Sequence, residues 1–233
     1  MCRLCVGCVP EHEDGQHNAA MTSLAAPRAT YPFIYLASQS PRRAQLLTQL
    51  GVQHQMLLPA EGEDAEGLEA MHPGELPADY VQRVTGLKLH AAVARLKARC
   101  LPPAPVLCAD TTVAMGRRIL GKPVDAAQAR TTLQALSGHS HRVLTAVAVH
   151  DGRRVHAALS LSRVRFAVMP AAVIDAYIAS GDCYGKAGAY AIQSALAGWV
   201  AHITGSYSGI MGLPLHETAQ LLQTAGVATS LTP

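Results

Sequence analysis

The stretch Phe33 to Leu50, FIYLASQSPRRAQLLTQL, constrains this chain more than any other. Its apolar residues Phe33 to Ala37 read as a buried strand. Pro41 suits the first turn of a helix, and Leu46, Leu47 and Leu50 recur at a spacing that turns them inward. Ser38, Gln39 and Ser40 lie between these two elements, and Arg42 and Arg43 follow Pro41. A strand that passes through a hydroxyl-bearing turn into a helix start presents free backbone N–H groups, the positive end of a helix dipole and two guanidinium forks. Such a turn can hold phosphates. The same residues also fit a plainer arrangement of strand, Ser N-cap and two solvated arginines.

With 233 residues, 49% of them apolar, the chain can bury a sizeable core in one domain or two lobes. Its net charge of +3 is mild and its arginines are scattered, so general nucleic-acid binding is not expected. No apolar run approaches the roughly 18 to 20 residues of a membrane span, and the N-terminus lacks a charged region followed by an apolar signal core. A soluble cytoplasmic protein without a membrane partner is the expectation. Of the six cysteines, Cys100, Cys108 and Cys183 are isolated in sequence and suit reduced thiols. Cys2, Cys5 and Cys8 are spaced like metal ligands, with His12 or His17 as a fourth, yet no second CxxC pair follows and EHEDGQHNAA has no core-forming pattern. Residues 1–30 therefore read as a disordered extension, within which Met21 could be the start, and residues 31–233 as the folded domain.

Along that domain, the helix begun at Pro41 closes at Gly51, and His54 to Leu58 can make a second strand. Residues 59–77, with Glu61, Glu63, Asp64 and Glu66 among Pro and Gly, read as an acidic surface loop. From Asp79 to Ala98 the spacing of Val81, Val84, Leu87, Ala91 and Ala94 is helical, with Arg83 and Lys88 near the margins. Pro105 to Ala109 is a short apolar strand ending on Asp110, Thr111 and Thr112. In an open α/β sheet ligands collect at the carboxyl ends of strands, so an acid there is a candidate site residue; an Asx turn or a cap is the plainer alternative. Leu120-Gly-Lys-Pro123 forms a tight turn that would fix Lys122, and Asp125 is placed as the N-cap of a helix ending near Gly138. Val143 to Val149, apolar on both faces, reads as a central strand leading to a hairpin turn at Asp151-Gly152. In the return segment Val155, Ala157, Leu159 and Leu161 share one phase and Val164, Phe166 and Val168 the other, so a bulge or a change of partner sheet is expected near Ser162 or Arg163. A helix opened by Pro170, a strand near Trp199 to Ile203, a turn at Gly205 to Gly209 and a last helix from Pro214 to Ala225 complete the reading.

Two arginines, two lysines, an acid at a strand end, an acidic loop and an amide thus gather at turns rather than on amphipathic faces. That inventory suits a nucleoside triphosphate with a divalent cation: cations neutralise phosphates, carboxylates hold metal and activate water, and an amide reads a base. Neither a Walker-type GxxxxGK[ST] run nor a GxGxxG occurs, which sets aside P-loop and kinase readings.

Five runs in order, LASQSPRRAQLL, ADTTV, LGKPVDAAQARTTLQALSGHSHRVLTAVAV, SGDCYGKAGAYAIQ and GSYSGIMGLPLHET, resemble the Maf nucleotide pyrophosphatases over nearly all of residues 33–233. The resemblance implies an elongated α/β fold, a mixed sheet with flanking helices and a cleft between two lobes, similar to that of the inosine triphosphatases. It also implies hydrolysis of a nucleoside triphosphate to monophosphate and pyrophosphate, a requirement for a divalent cation, Mg²⁺ or Mn²⁺, and a homodimer as in many members. On the matching positions it makes Asp110 the proton acceptor and relates Arg42, Thr111 and Gln193 to base choice. It relates Ser38, Arg43, Lys88 and Lys122 to the phosphates, and Glu63 with Asp110 to the metal. ADT and KAGAYAIQ resemble the branch acting on dTTP and UTP, as normal or modified pyrimidine nucleotides, rather than the branch acting on 7-methyl-GTP. A Gln amide can serve uracil, thymine or, reversed, cytosine, so Gln193 needs neighbours that fix it, and Thr111 or Arg42 are placed to help. Three departures stand out: the acidic loop reads AEGEDAE instead of an Asp-Glu pair, Ser194 stands where Gly is common, and residues 1–30 have no counterpart. A nucleotide-responsive binding protein linked to cell-division (septum) control is the alternative function.

Overall fold

The computed structural model describes residues 31–60, 63 and 67–230. The expectations for Cys2, Cys5, Cys8, His12, His17 and Met21, and for Glu61, Asp64 and Glu66 of the acidic loop, lie outside the described residues. A seven-stranded mixed sheet runs in the order β2-β1-β3-β5-β6-β7, with β4 paired to β3. The strands are β1 (Ile34–Leu36), β2 (His54–Met56), β3 (Val106–Met115), β4 (Arg118–Leu120), β5 (Ser140–His150), β6 (Val155–Phe166) and β7 (Val200–Thr204). The helices are α1 (Pro41–Gln49), α2 (Pro77–Ala98), α3 (Ala126–Leu136), α4 (Ala171–Ala179), α5 (Tyr207–Met211) and α6 (Leu215–Thr224). The first two strands pair parallel and the long β3, β5 and β6 antiparallel.

One face of the sheet is covered by α2, whose Val81, Val84, Leu89 and Ala92 meet Cys108, Ala114, Leu144, Ala146 and Ala148. On the other face Leu46 and Leu47 of α1 and Leu222 of α6 pack with Leu36, Leu107, Val147 and Val149. Beyond the crossing of β3 with β4, α3 and α4 build a second lobe around Val143, Val164, Phe166 and Tyr190. Within it Asp125 caps α3 as its sequence position suggests, accepting from the Gln128 N–H at 2.7 Å.

The sheet has one gap that matters. On the edge of β3 away from β5, β1 reaches only Val106 and Leu107, and β4 begins at Val113. Among the described residues no strand lies beside Cys108 to Thr112 on that edge. Adjacent side chains there, pointing to opposite faces, can therefore reach one space.

Three local expectations are corrected. Asp110 is not at the end of a strand: β3 continues through Thr111, Thr112 and Val113, β-branched residues that favour an extended chain, all paired to β5. The β6 strand has neither a bulge nor a change of sheet at Ser162 or Arg163 and stays in register with β5 from Val155 to Arg165. Polarity, not the backbone, changes phase. Ser160 and Ser162 take the buried positions, while Val155 and Leu161 stand half exposed on the other face; the register shift occurs at Arg165/Phe166, against β7. The turn at Gly205 to Gly209 instead opens α5, capped by the Ser206 hydroxyl, which accepts from the Gly209 N–H at 2.9 Å. No helix among the described residues is long and apolar enough to cross a membrane.

Candidate active site

A cleft of about 490 Å³ opens at the β3 gap and takes side chains from both lobes. Among the described residues, every one related from the sequence to nucleotide or metal binding lines it: Ser38, Arg42, Arg43, Glu63, Lys88, Asp110, Thr111, Lys122 and Gln193.

One wall is built from α2, β3 and the loop after β4. Lys88, projecting from α2, donates to Asp110 Oδ1 and to Glu69 Oε1, each at 2.6 Å. Lys122 donates to Glu69 Oε2 at 2.8 Å. The four groups form an alternating chain, Asp110, Lys88, Glu69, Lys122. Burial alone would discharge Lys88, but its two carboxylate partners outweigh burial and raise its pKa. Burial likewise opposes the charge of Glu69, and the two lysines overcome it, leaving its pKa lowered. Asp110 Oδ2 has no hydrogen-bond partner among the described residues, so this nearly buried carboxylate holds one oxygen fixed and offers the other.

Sequence reasoning passed over Glu69, one acid among many in an acidic run. It sits at the end of a single 3₁₀ turn, Gly67–Glu69, tethered to α2 because the Tyr80 hydroxyl donates to its carbonyl at 3.0 Å. Leu68 held the available signal. An apolar residue inside an acidic loop marks a point where the loop returns to the protein, and Leu68 lines the cleft. Glu63 is placed differently from Glu69. Arg95, only 7% exposed at its side chain, engages both Glu63 oxygens, and this pairing, with the Ala60 N–H, holds the Glu63 carboxyl down to about 2.

The opposite wall comes from the turn before α1 and the segment around α5. Ser40, at the N-cap position of α1, makes no side-chain cap, and the Ser38 hydroxyl instead accepts from the Ser40 N–H and from Arg43 Nη1 at 3.1 Å. Arg43 Nε donates to the Gly212 carbonyl at 2.8 Å and Nη2 to Thr111 Oγ1 at 3.4 Å. Thr111 and Thr145 hydroxyls lie 2.9 Å apart, and Thr145 donates to the Gly209 carbonyl at 2.7 Å. Each hydroxyl has one proton, so the order is set: Arg43 to Thr111, Thr111 to Thr145, Thr145 to Gly209. Gly212 has φ of 120°, a conformation that side-chain-bearing residues avoid, and it presents the carbonyl that aims Arg43. Arg42 donates to the Met211 carbonyl at 3.4 Å, and burial followed by the charge of Arg43 lowers its pKa. Among the described residues neither arginine is paired with a carboxylate.

The far end of the cleft carries Gln193, exposed and without a side-chain hydrogen bond among the described residues. Neither Thr111 nor Arg42, expected to fix its amide, hydrogen bonds to it: Thr111 bonds to Arg43 and Thr145, and Arg42 Nε to the Met211 carbonyl. Ser194 has φ of −84°, open to any residue, so a non-glycine costs nothing there. The segment before Gln193 is joined to the Lys122 loop: Gly188 donates to the Gly121 carbonyl at 3.1 Å. At φ 72°, a Cβ on Gly188 would come within 2.9 Å of Val113.

Among the described residues no three His, Cys, Asp or Glu side chains gather as a metal cage. A hard divalent cation is commonly held by one or two carboxylates, with phosphate oxygens completing its shell. Asp110 and Glu69 supply two hard carboxylates, bridged by the Lys88 ammonium, so a cation charge is already accommodated between them.

The family model described as Maf-like protein matches residues 33–225. A dTTP/UTP pyrophosphatase of Polaromonas sp. is 64% identical over 195 residues, 84% of this chain and 96% of that protein. A second protein of that name, from Albidiferax ferrireducens, is 61% identical over 194 residues, 83% of this chain and 97% of its own. Among solved structures, a nucleoside-triphosphatase / dITP/XTP pyrophosphatase from Mycobacterium abscessus overlaps 59% of this chain and 75% of its own at 17% identity and a TM-score of 0.37, a likeness too remote to identify fold or activity.

Proposed function

The chain belongs to the Maf-like family, and on that footing we propose that it is a nucleoside triphosphate pyrophosphatase that hydrolyses dTTP and UTP to the monophosphate and pyrophosphate. The observation that carries this reading is the division of the cleft. A carboxylate with one free oxygen sits on a lysine–glutamate chain, opposite two arginines held only by neutral acceptors. A polyanion with one reactive phosphorus fits between such walls.

In this reading Arg42 and Arg43 bind the triphosphate, Ser38 and Thr111 hold the Arg43 fork flat, and Asp110 Oδ2 takes a proton from a water. The water oxygen attacks the α-phosphorus as the bond to the α–β bridging oxygen breaks, and the electron pair leaves with pyrophosphate. Lys122 and Lys88 meet the charge that moves onto the leaving group; their turn and helix limit the freedom they lose on binding. The acid assigned beside Asp110 for a divalent cation, Mg²⁺ or Mn²⁺, is Glu69 rather than Glu63, because Glu69 shares the Lys88 ammonium with Asp110 whereas Glu63 is drawn to Arg95. When bound, the cation supplies neutralisation of phosphate charge. Gln193 faces the base, accepting from N3–H and donating to O4 of uracil or thymine.

Pyrophosphate release from UTP and dTTP with either cation is the direct test. In ¹⁸O water the label should enter the monophosphate; label in pyrophosphate would mean attack at the β-phosphorus and overturn the assignment. Saturable nucleotide binding with no release would favour the binding-protein alternative.

A further inference from the structure

Gln193 poses a physical problem for base selection. An amide that reads an edge must be held in one orientation, and no side chain among the described residues hydrogen bonds to it. Where that amide can stand against a base is then set by the backbone that carries it. Ala191 to Ser194 forms a tight turn in which the Ser194 N–H donates to the Ala191 carbonyl at 3.1 Å, and the Ser194 hydroxyl donates to the same carbonyl at 2.7 Å. Ile192, 3% exposed, plugs the second position into the core, and Gln193 occupies the third, facing the cleft.

Both ends of this turn meet one hydroxyl. Tyr177 of α4, 4% exposed, accepts from the Ala191 N–H at 3.3 Å, and its oxygen lies 3.1 Å from the Ser194 hydroxyl, whose one proton is shared between it and the Ala191 carbonyl. The Tyr177 hydroxyl donates in turn to the Asp182 carbonyl at 3.3 Å, which also accepts from Lys186 Nζ at 2.5 Å. Lys186 lines the cleft, whereas Tyr177 does not. We propose that Tyr177 and Ser194 are positioning residues for base choice, locking the Ala191–Ser194 turn from behind so that the Gln193 side chain meets the base edge at one place and angle. This rests on the reading of Gln193 as the base-facing residue.

The test compares kcat/KM for UTP and CTP in the full-length chain and in Gln193→Ala, Tyr177→Phe, Ser194→Gly and the double variant Tyr177→Phe with Gln193→Ala. Loss of one buried hydrogen bond predicts that Tyr177→Phe and Ser194→Gly each narrow the UTP-over-CTP preference by about two- to tenfold, while kcat on UTP changes less than about twofold. The double variant should narrow it no further than Gln193→Ala alone, because the lock acts only through that amide. A merely structural tyrosine would lower thermal stability and leave the base ratio intact. If Gln193→Ala narrows the preference and neither Tyr177→Phe nor Ser194→Gly does, the base reading stands and the lock is overturned. If Gln193→Ala leaves the preference intact, the base reading falls and takes this inference with it. Should Tyr177→Phe fold poorly, Ser194→Gly decides, since Ser194 has an ordinary φ and is only partly buried.

Discussion

The two walls of the cleft spend their cations in opposite ways. On the α2 wall each lysine already faces a carboxylate: Lys88 bridges Asp110 and Glu69, and Lys122 completes the chain. On the α1 wall Arg42 and Arg43 are aimed by carbonyls and hydroxyls, which fix direction without cancelling charge. The first wall can exchange partners, because a lysine released by a carboxylate can turn to phosphate. The second has only anion still to gain. Positioning by neutral acceptors is what keeps a charged site both ordered and hungry for a ligand.

The sharpest way to break this division is at Asp110. Asp110→Asn keeps the size and the bond to Lys88 but removes the base, so kcat should fall by at least roughly 10²- to 10⁴-fold with nucleotide binding retained. A variant with kcat within tenfold of the parent would move the chemistry off the α2 wall.

Next in size are the charged groups on either side of Asp110 to which the proposed mechanism gives the phosphates or the cation. Lys122→Met and Glu69→Gln should each lower kcat/KM by roughly 10- to 100-fold, as expected for a lost hydrogen bond to a charged group. Glu69→Gln should also raise the cation concentration needed for half-maximal rate. On the opposite wall, Arg43→Lys keeps the charge but cannot reach Ser38, Thr111 and Gly212 at once. It should raise KM for UTP more than it lowers kcat. Equal effects from Arg43→Lys and Lys122→Met on kcat would erase the distinction between the walls.

The contrast between walls also explains what the sequence could reveal. Every element of the turn between β1 and α1 was legible, because the strand, Pro41 and the arginines are contiguous and local rules govern them. Strand β5 and the cap at Asp125 were legible for the same reason. Asp110 was noticed but misplaced along its strand, since the pairing that extends β3 comes from β5, which lies beyond β4 and α3 in the chain. Ser160 and Ser162 misled the reading of β6, because buried serines satisfied by partners such as the Ser206 N–H look polar in a pattern that assumes polar means exposed. Glu69 was hidden among equivalent acids. Its role depends on which of them the Tyr80 tether draws toward Lys88, and no local propensity records that contact.

The smallest predicted effect separates Glu63 from Glu69. Glu63 is ion-paired with Arg95, its side chain is 39% exposed, and its carboxyl is held near 2 instead of the ordinary 4.5 by that pairing. A depressed carboxylate pKa adds stability that is present above the unfolded value and lost as pH falls toward the folded one, here from about 4.5 toward 2. Glu63→Gln should therefore lower Tm modestly at pH 7, with the difference from the parent shrinking as pH drops through that window, and more salt should shrink it too. Because Arg95 stays bonded to the Leu57 carbonyl at 3.1 Å, the loop should keep its place and kcat should stay within about twofold. Glu69→Gln should show the reverse, a large kinetic loss with cation dependence altered. If Glu63→Gln instead raised the cation requirement while Glu69→Gln left it alone, the carboxylate beside Asp110 would be Glu63, and the α2 wall would have to open its pair with Arg95 before turnover.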